Sequence, residues 1–159
     1  IGIPYDPERT GELVGSLLDY FKGKSIQLIP IPVKSPADLN SALTQVRSQI
    51  DALWILPDAS FLDPVSAKFL LRYSVSGNLP LLGYSQGFSK SGALMSLVGD
   101  YQEMGRQAAE TAEQILSGED PPRIKYPRGM RTYINLQVAK RLNIRMGQSL
   151  ILLAERVYP

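Results

Sequence analysis

Short apolar runs rich in branched residues alternate along this chain with longer segments whose apolar positions recur every three to four residues, the pattern of strands followed by helices. Residues 1–4 read as a first strand, with Pro4 suited to a strand end. From about Thr10 a helix carries Leu13, Val14, Leu17, Leu18 and Phe21 on one stripe and ends at Gly23. Ile26, Leu28 and Ile29 make a second strand, stopped by Pro30 and Pro32. Ser35-Pro36-Ala37-Asp38 then starts a helix, with a hydroxyl at the N-cap and proline at the first helical position; Leu39, Leu43, Val46 and Ile50 line its buried face.

Residues 52–56 are continuously apolar, as a central parallel strand covered on both faces requires, and Trp54 within them is assigned to the core. Asp63-Pro64 opens a further helix with Phe69, Leu70 and Tyr73 inward, broken at Ser76-Gly77-Asn78. Residues 81–84 and 93–98 read as the fourth and fifth strands, with loop over 87–92. Asp100-Tyr101-Gln102-Glu103 has capping-box spacing and opens a helix that runs to Leu116 and stops at Gly118. A Pro-rich connection over 120–127, a sixth strand over 131–135 and short closing helices over 137–142 and 150–157 complete the chain.

Such βα units with short loops predict an α/β fold, a three-layer open parallel sheet with flavodoxin-like strand order, since right-handed crossovers leave few layouts. In these sheets a ligand sits outside the carboxyl ends of the strands, near the point where strand order reverses. The polar residues that follow the strands are therefore the candidates: Tyr5 and Asp6, Asp58 and Ser60, Ser85 and Gln86, Asp100 and Tyr101. Each also has a local reading. Asp6-Pro7 suits a turn, Tyr5 suits packing, Asp58 an Asx-turn, Ser85-Gln86 a loop, and Asp100 a helix cap.

Composition narrows the chemistry. A net charge of +2, with acids and bases interleaved, gives no basic stripe for a phosphate backbone, so nucleic acid is not an expected partner. No Cys and no His are present, which removes thiolate and zinc-thiolate sites, the commonest acid/base catalyst near neutral pH and the commonest transition-metal ligand. No cofactor and no metal are expected. No apolar run approaches the ~20 residues of a membrane span, and the start lacks the basic region of a signal peptide. The first loop, Tyr5-Asp6-Pro7-Glu8-Arg9-Thr10-Gly11, has no G-x-G-x-x-G for a dinucleotide. A phosphate-accepting receiver would want a Lys where Asp100-Tyr101 stands, and no G-x-S-x-G suggests a hydrolase. The expectation is a binding module and not an enzyme.

Several stretches carry a resemblance: the first loop, Leu53-Trp54-Ile55-Leu56-Pro57-Asp58, Gly92-Ala93-Leu94, Asp100 through Gly105-Arg106-Gln107-Ala108-Ala109, and Ile134-Asn135-Leu136-Gln137-Val138-Ala139-Lys140-Arg141-Leu142. In order and spacing, from first residue to last, they resemble the ABC transporter substrate-binding family that includes tryptophan-binding members. The sequence departs from relatives at Ala59 and at Gly83-Tyr84. The resemblance implies a type I periplasmic-binding-protein fold in which two lobes close on a small polar molecule, an amino acid among them, and this chain supplies the C-terminal lobe. It implies an ABC permease as the partner of the full-length protein and a periplasmic or other extracytoplasmic location, with or without a lipid anchor. A ligand-sensing domain of a transcription regulator or signalling protein is the alternative. On this reading residues 1–99 form the ligand-binding lobe, residues 100–130 a crossover helix and linker that pack on the N-terminal lobe, and residues 131–159 a return strand and closing helices. Met104, Ala108, Ala112, Ile115 and Leu116 would form the packing stripe; without the N-terminal lobe, a homodimer exchanging this helix at a hinge over 98–100 is expected.

Overall fold

The computed structural model describes residues 1–159. Seven strands form one sheet in the order β2-β1-β3-β4-β5-β6-β7. The first five are β1 (Gly2–Tyr5), β2 (Ile29–Pro32), β3 (Leu53–Trp54), β4 (Leu81–Gly83) and β5 (Met95–Gly99). They are mutually parallel in the flavodoxin-like order that the βα pattern predicts. The helices are α1 (Gly11–Phe21), α2 (Leu39–Val46), α3 (Pro64–Ser76), α4 (Gln86–Ser91), α5 (Tyr101–Leu116), α6 (Leu136–Arg141) and α7 (Gln148–Leu152); β6 (Met130–Asn135) and β7 (Arg156–Tyr158) finish the sheet.

Alternation along β3 builds both layers of core. Leu53 and Ile55 face one side, where they join Leu39 and Leu43 of α2 and Leu70 of α3 in a cluster of 13 buried residues. Trp54 and Leu56 face the other, against Val14 of α1 and Ile3. Trp54 itself is half-buried, so it edges the core it was assigned to. α1 buries Val14 and leaves Leu13 exposed, which narrows the expected stripe. The α2 face holds: Leu39, Leu43 and Ile50 are buried, and Asp38 accepts from both the Ser35 N–H and hydroxyl at the helix entry. A short 3-10 turn over Pro36–Asp38 precedes the α-helix proper.

Five features differ from the sequence expectation. β2 lies later than expected and includes both prolines, because Ile29 N–H donates to the Ile1 carbonyl and Val33 N–H to the Tyr5 carbonyl while Pro30 and Pro32 alternate with these inward-donating positions; their missing N–H groups fall on the open edge of an edge strand. The sheet is not wholly parallel. β6 runs antiparallel to β5, with Gly99 opposite Met130, because the chain returns beside the point where it left. Residues 86–91 are helical rather than loop, since the Ser85 hydroxyl accepts from Phe88 N–H and Phe88 and Ser89 are buried. The closing helix stops at Leu152, and Arg156–Tyr158 instead pairs in parallel with β6. The capping box at α5 is half-formed: the Asp100 carboxylate accepts from Gln102 and Glu103 N–H, but Glu103 turns to Arg106 and Arg128.

A buried polar knot ties α4 to the last strands. Ser89 donates to Ser96 of β5, and Asn135 donates to the Ser89 carbonyl while its own carbonyl oxygen accepts from Val138 N–H at the start of α6. Asn135→Ala leaves both partners unpaired in a dry setting. A loss of about 2 kcal/mol is expected, read as a fall in melting temperature of roughly 4–8 °C for a domain of this size.

α5 stands apart from the sheet. Gln107 is its single buried residue, and it holds the segment after the helix by donating to the Tyr126 carbonyl and accepting from Arg128 N–H. Lys125 reaches Thr111 and Gln114, and Arg128 pairs with Glu110. Together they enclose a groove of about 430 Å³ lined by Met104, Ala108, Ala112 and Ile115 of the helix and by Pro122 and Pro127 of the strap. The helix therefore does not fold back on the sheet; Ile115 and Leu116 point to solvent, as do Ile124 and Tyr126. No helix is long and apolar enough to cross a membrane.

Candidate functional site

β1 and β3 are neighbours, so the loops that follow them meet at the carboxyl edge of the sheet. Asp58 is at the centre, only 2% exposed. Its Oδ2 accepts from the Asp6 N–H at 2.9 Å and from the Thr10 hydroxyl at 2.6 Å, and its Oδ1 accepts from the Ser60 N–H at 3.0 Å. Burial pushes the Asp58 pKa up, but the bonds from Thr10, Asp6 and Ser60 together outweigh it and hold the carboxyl below its ordinary value. The Ser60 hydroxyl contributes to that lowering from nearby, although it is shielded from solvent without a well-formed hydrogen bond.

Asp6 differs from Asp58 in one respect that matters. Its Oδ1 accepts from Glu8 N–H at 2.9 Å, closing a local turn, and no protein donor engages Oδ2. Tyr5, the last residue of β1, is half-buried against the α1 layer. Asp6, Asp58, Ser60 and Tyr5 are thus brought together at the ends of two adjacent strands.

Ser85 and Gln86 follow β4, the parallel neighbour of β3, and so lie on the same carboxyl edge one strand further along, with Asp100 and Tyr101 beyond them after β5. Ser85 caps α4 through its hydroxyl. Gln86 donates to the Tyr158 hydroxyl at 3.0 Å, and the backbone of Tyr158 pairs with Asn135 at the opposite end of the sheet. Asp100 lies at the end of β5, two strands from β3, and its Oδ2 accepts from Arg131, which also bonds Glu155. Burial pushes the Asp100 pKa up, and the Arg131 contact with the two helix N–H groups lowers it further than burial raises it. Tyr101 is 75% exposed. Sequence reasoning missed Thr10, Arg131 and Tyr158. Only Thr10 left a signal, a hydroxyl residue at a helix start four positions after Asp6.

Grooves lie along α3, about 600 Å³ beside Lys68, Leu71 and Arg72, and along α5. What the rim offers is a carboxylate with one oxygen free of protein donors, hydroxyls and an aromatic ring at strand ends, chemistry that suits a small cationic or zwitterionic molecule.

A "Tyrosine-binding protein" from Clostridioides difficile is 25% identical over 121 residues, 75% of this chain and 34% of that protein. Among solved structures, a conserved domain protein from Vibrio cholerae superposes with TM-score 0.74 at 22% identity, over 98% of this chain and 53% of its own. The ABC domain in complex with L-Trp from Streptococcus pneumonia superposes at 0.70 with 21% identity, over 98% and 55%. The ligand-free, open form of a substrate binding protein with adhesive properties from Clostridium difficile gives 0.72 at 17%, over 99% and 53%. This chain therefore spans about a third of the curated relative and about half of each structural neighbour. The family profile for "ABC transporter substrate binding protein" matches residues 1–158, and the chain belongs to that family.

Proposed function

We propose that this chain is the ligand-contacting lobe of a two-lobed solute-binding protein serving an ABC transporter, and that its solute is an amino acid. The observation that carries the reading is that the entire chain superposes on about half of each structural neighbour. The names of two relatives, one tyrosine-binding and one solved with L-Trp, support the amino-acid class. The local chemistry fits it: an α-ammonium group needs a carboxylate oxygen, which Asp6 Oδ2 supplies. Binding, rather than catalysis, is the role proposed, in an extracytoplasmic setting where a permease reads the closed form.

The division of the chain follows. Residues 1–99 hold the rim, 131–159 close the lobe, and 100–130 pack on the other lobe, a role supported by the outward Ile115, Leu116, Ile124 and Tyr126, too much apolar surface to leave in water. Cleft closure then depends on contacts shared between lobes, and a ligand favours the closed state only by its extra affinity for it. Calorimetry with L-tryptophan, L-tyrosine and a panel of other amino acids tests this. One-to-one binding is expected in the two-lobed parent, with no more than weak binding by residues 1–159 alone. Tight binding by the lone lobe, or no binding of any amino acid by the parent, overturns the proposal. In the isolated chain the exposed α5 face is open to a second copy, which light scattering reads directly.

A further inference from the structure

We infer that Thr10 is a positioning residue for the ligand rim: its hydroxyl, with the Asp58 carboxylate, clamps the β1–α1 loop to the β3–α3 loop and so sets where the free oxygen of Asp6 stands. The inference rests on the amino-acid reading for its ligand and on this chain's own geometry for the clamp.

Three observations carry it. First, Thr10 occupies the N-cap position of α1, where a threonine hydroxyl ordinarily accepts from the helix's own N–H groups; here it makes no cap bond and instead donates across to Asp58. A hydroxyl has one proton, and the Asp58 contact at 2.6 Å is much shorter than the 3.2 Å approach to the Asp6 carbonyl. Second, one oxygen of Asp58 joins both ends of the first loop, through the Asp6 N–H and Thr10, while the other fixes the second loop through Ser60. The Asp6 carbonyl accepts from Arg9 and Thr10 N–H, so the loop between is a closed turn that moves as a body. Third, both aspartates are buried, but Asp58 carries three donors whereas Asp6 keeps Oδ2 without a protein donor. The two carboxylates divide the work: Asp58 holds the loops and Asp6 meets the ligand. A misplacement of the free oxygen by a fraction of an ångström weakens a charge-assisted hydrogen bond to an ammonium, because such bonds are short and directional.

Thr10→Val keeps the shape and removes the proton donor, and Thr10→Ser restores it. Two measurements separate the outcomes. Hydrogen exchange on residues 1–159 reads the clamp without ligand: Thr10→Val is expected to speed exchange at the Asp6 and Ser60 amides roughly tenfold, and Thr10→Ser to return it to the wild-type rate. Unchanged exchange overturns the inference whatever the ligand is. Titration of the two-lobed parent with L-tryptophan and L-tyrosine reads the consequence, at a temperature where circular dichroism shows every variant folded. About tenfold weaker binding in Thr10→Val, recovered in Thr10→Ser, is expected; a role confined to stability would lower the melting temperature and leave affinity alone. Binding by the wild type that is unchanged in Thr10→Val overturns the inference and leaves the amino-acid reading standing. Faster exchange with no binding of either amino acid by the wild type overturns that reading, and with it the role of Thr10 toward such a ligand.

Discussion

Asp58→Ala is expected to destabilise the lobe by about 4 kcal/mol, because three donors that now share one buried carboxylate lose their partner at once. The Asp6 N–H, the Ser60 N–H and the Thr10 hydroxyl cannot all find water at a place where the replaced side chain is only 2% exposed. Thermal melting should show a fall of roughly 8–16 °C. The charge on Asp58 matters as well as its shape. Its folded pKa lies below the value of about 3.9 for an unfolded aspartate. The stabilisation it supplies is therefore fully present above about pH 4, and is lost as pH falls through the lower folded value. Asp58→Asn should make the acid limb of stability shallower, measured as urea midpoints across pH 2–5. Asp63, Asp100 and Glu110 are also held below their ordinary values, so part of the limb survives. An acid limb identical to wild type would count against the clamp.

Gly83→Val is expected to cost about 3 kcal/mol, the second large effect. A β-carbon at Gly83 would stand 2.6 Å from Phe88 Cβ, 2.9 Å from Ser96 Oγ and 3.0 Å from Phe88 Cγ. None of these is the far end of a flexible chain: Phe88 is a buried core residue on α4, and Ser96 is locked to Ser89. The helix must lift from β4, taking Ser85 and Gln86 with it. Gly83→Ala should cost less, about 1–2 kcal/mol, as the same clash without the branched methyls. A urea midpoint unchanged in Gly83→Val would mean that α4 can slide at no cost. A glycine at position 83 thus has a packing reason, the close approach of helix to strand.

The legible parts of the fold share a property. Ser35-Pro36 at the α2 entry, Asp63-Pro64 at α3, the Asp100 cap and the apolar run through Leu53 depend on contacts within a few residues, and all are found in the structure. Glycine and asparagine breaks are local in the same way: Gly23, Asn78 and Gly118 each adopt positive φ where a helix was expected to stop. The first five strands follow in order because right-handed crossovers leave little choice. The candidate rim was legible as a set of strand ends, since a βα chain fixes which loops lie on the carboxyl side.

The illegible parts depend on partners far away in the chain. β7 is three residues long, and Val157 is a strand residue only because Ile134 lies beside it. α4 is six residues, Gln86–Ser91, whose helix exists because Phe88 is buried and Ser89 meets Ser96 and Tyr133. The antiparallel β6 is set by a return of 30 residues to the point of departure at Gly99. The division of labour between two aspartates is of the same kind. Composition and spacing place Asp6 and Asp58 alike, each two positions past an expected strand, residues 1–4 and 52–56. Which of them is occupied by protein donors and which keeps an oxygen free depends on Thr10, 48 residues from its partner. The sequence by itself determined the αβ alternation, the order of the parallel strands, the caps and the side of the sheet on which polar residues gather, because each follows from backbone sterics and periodicity over a turn or two. Only the tertiary structure decided the β6 direction, the last strand, the α4 helix and the roles of the two carboxylates, because hydrogen bonds across the sheet form between residues whose separation in sequence carries no local signature.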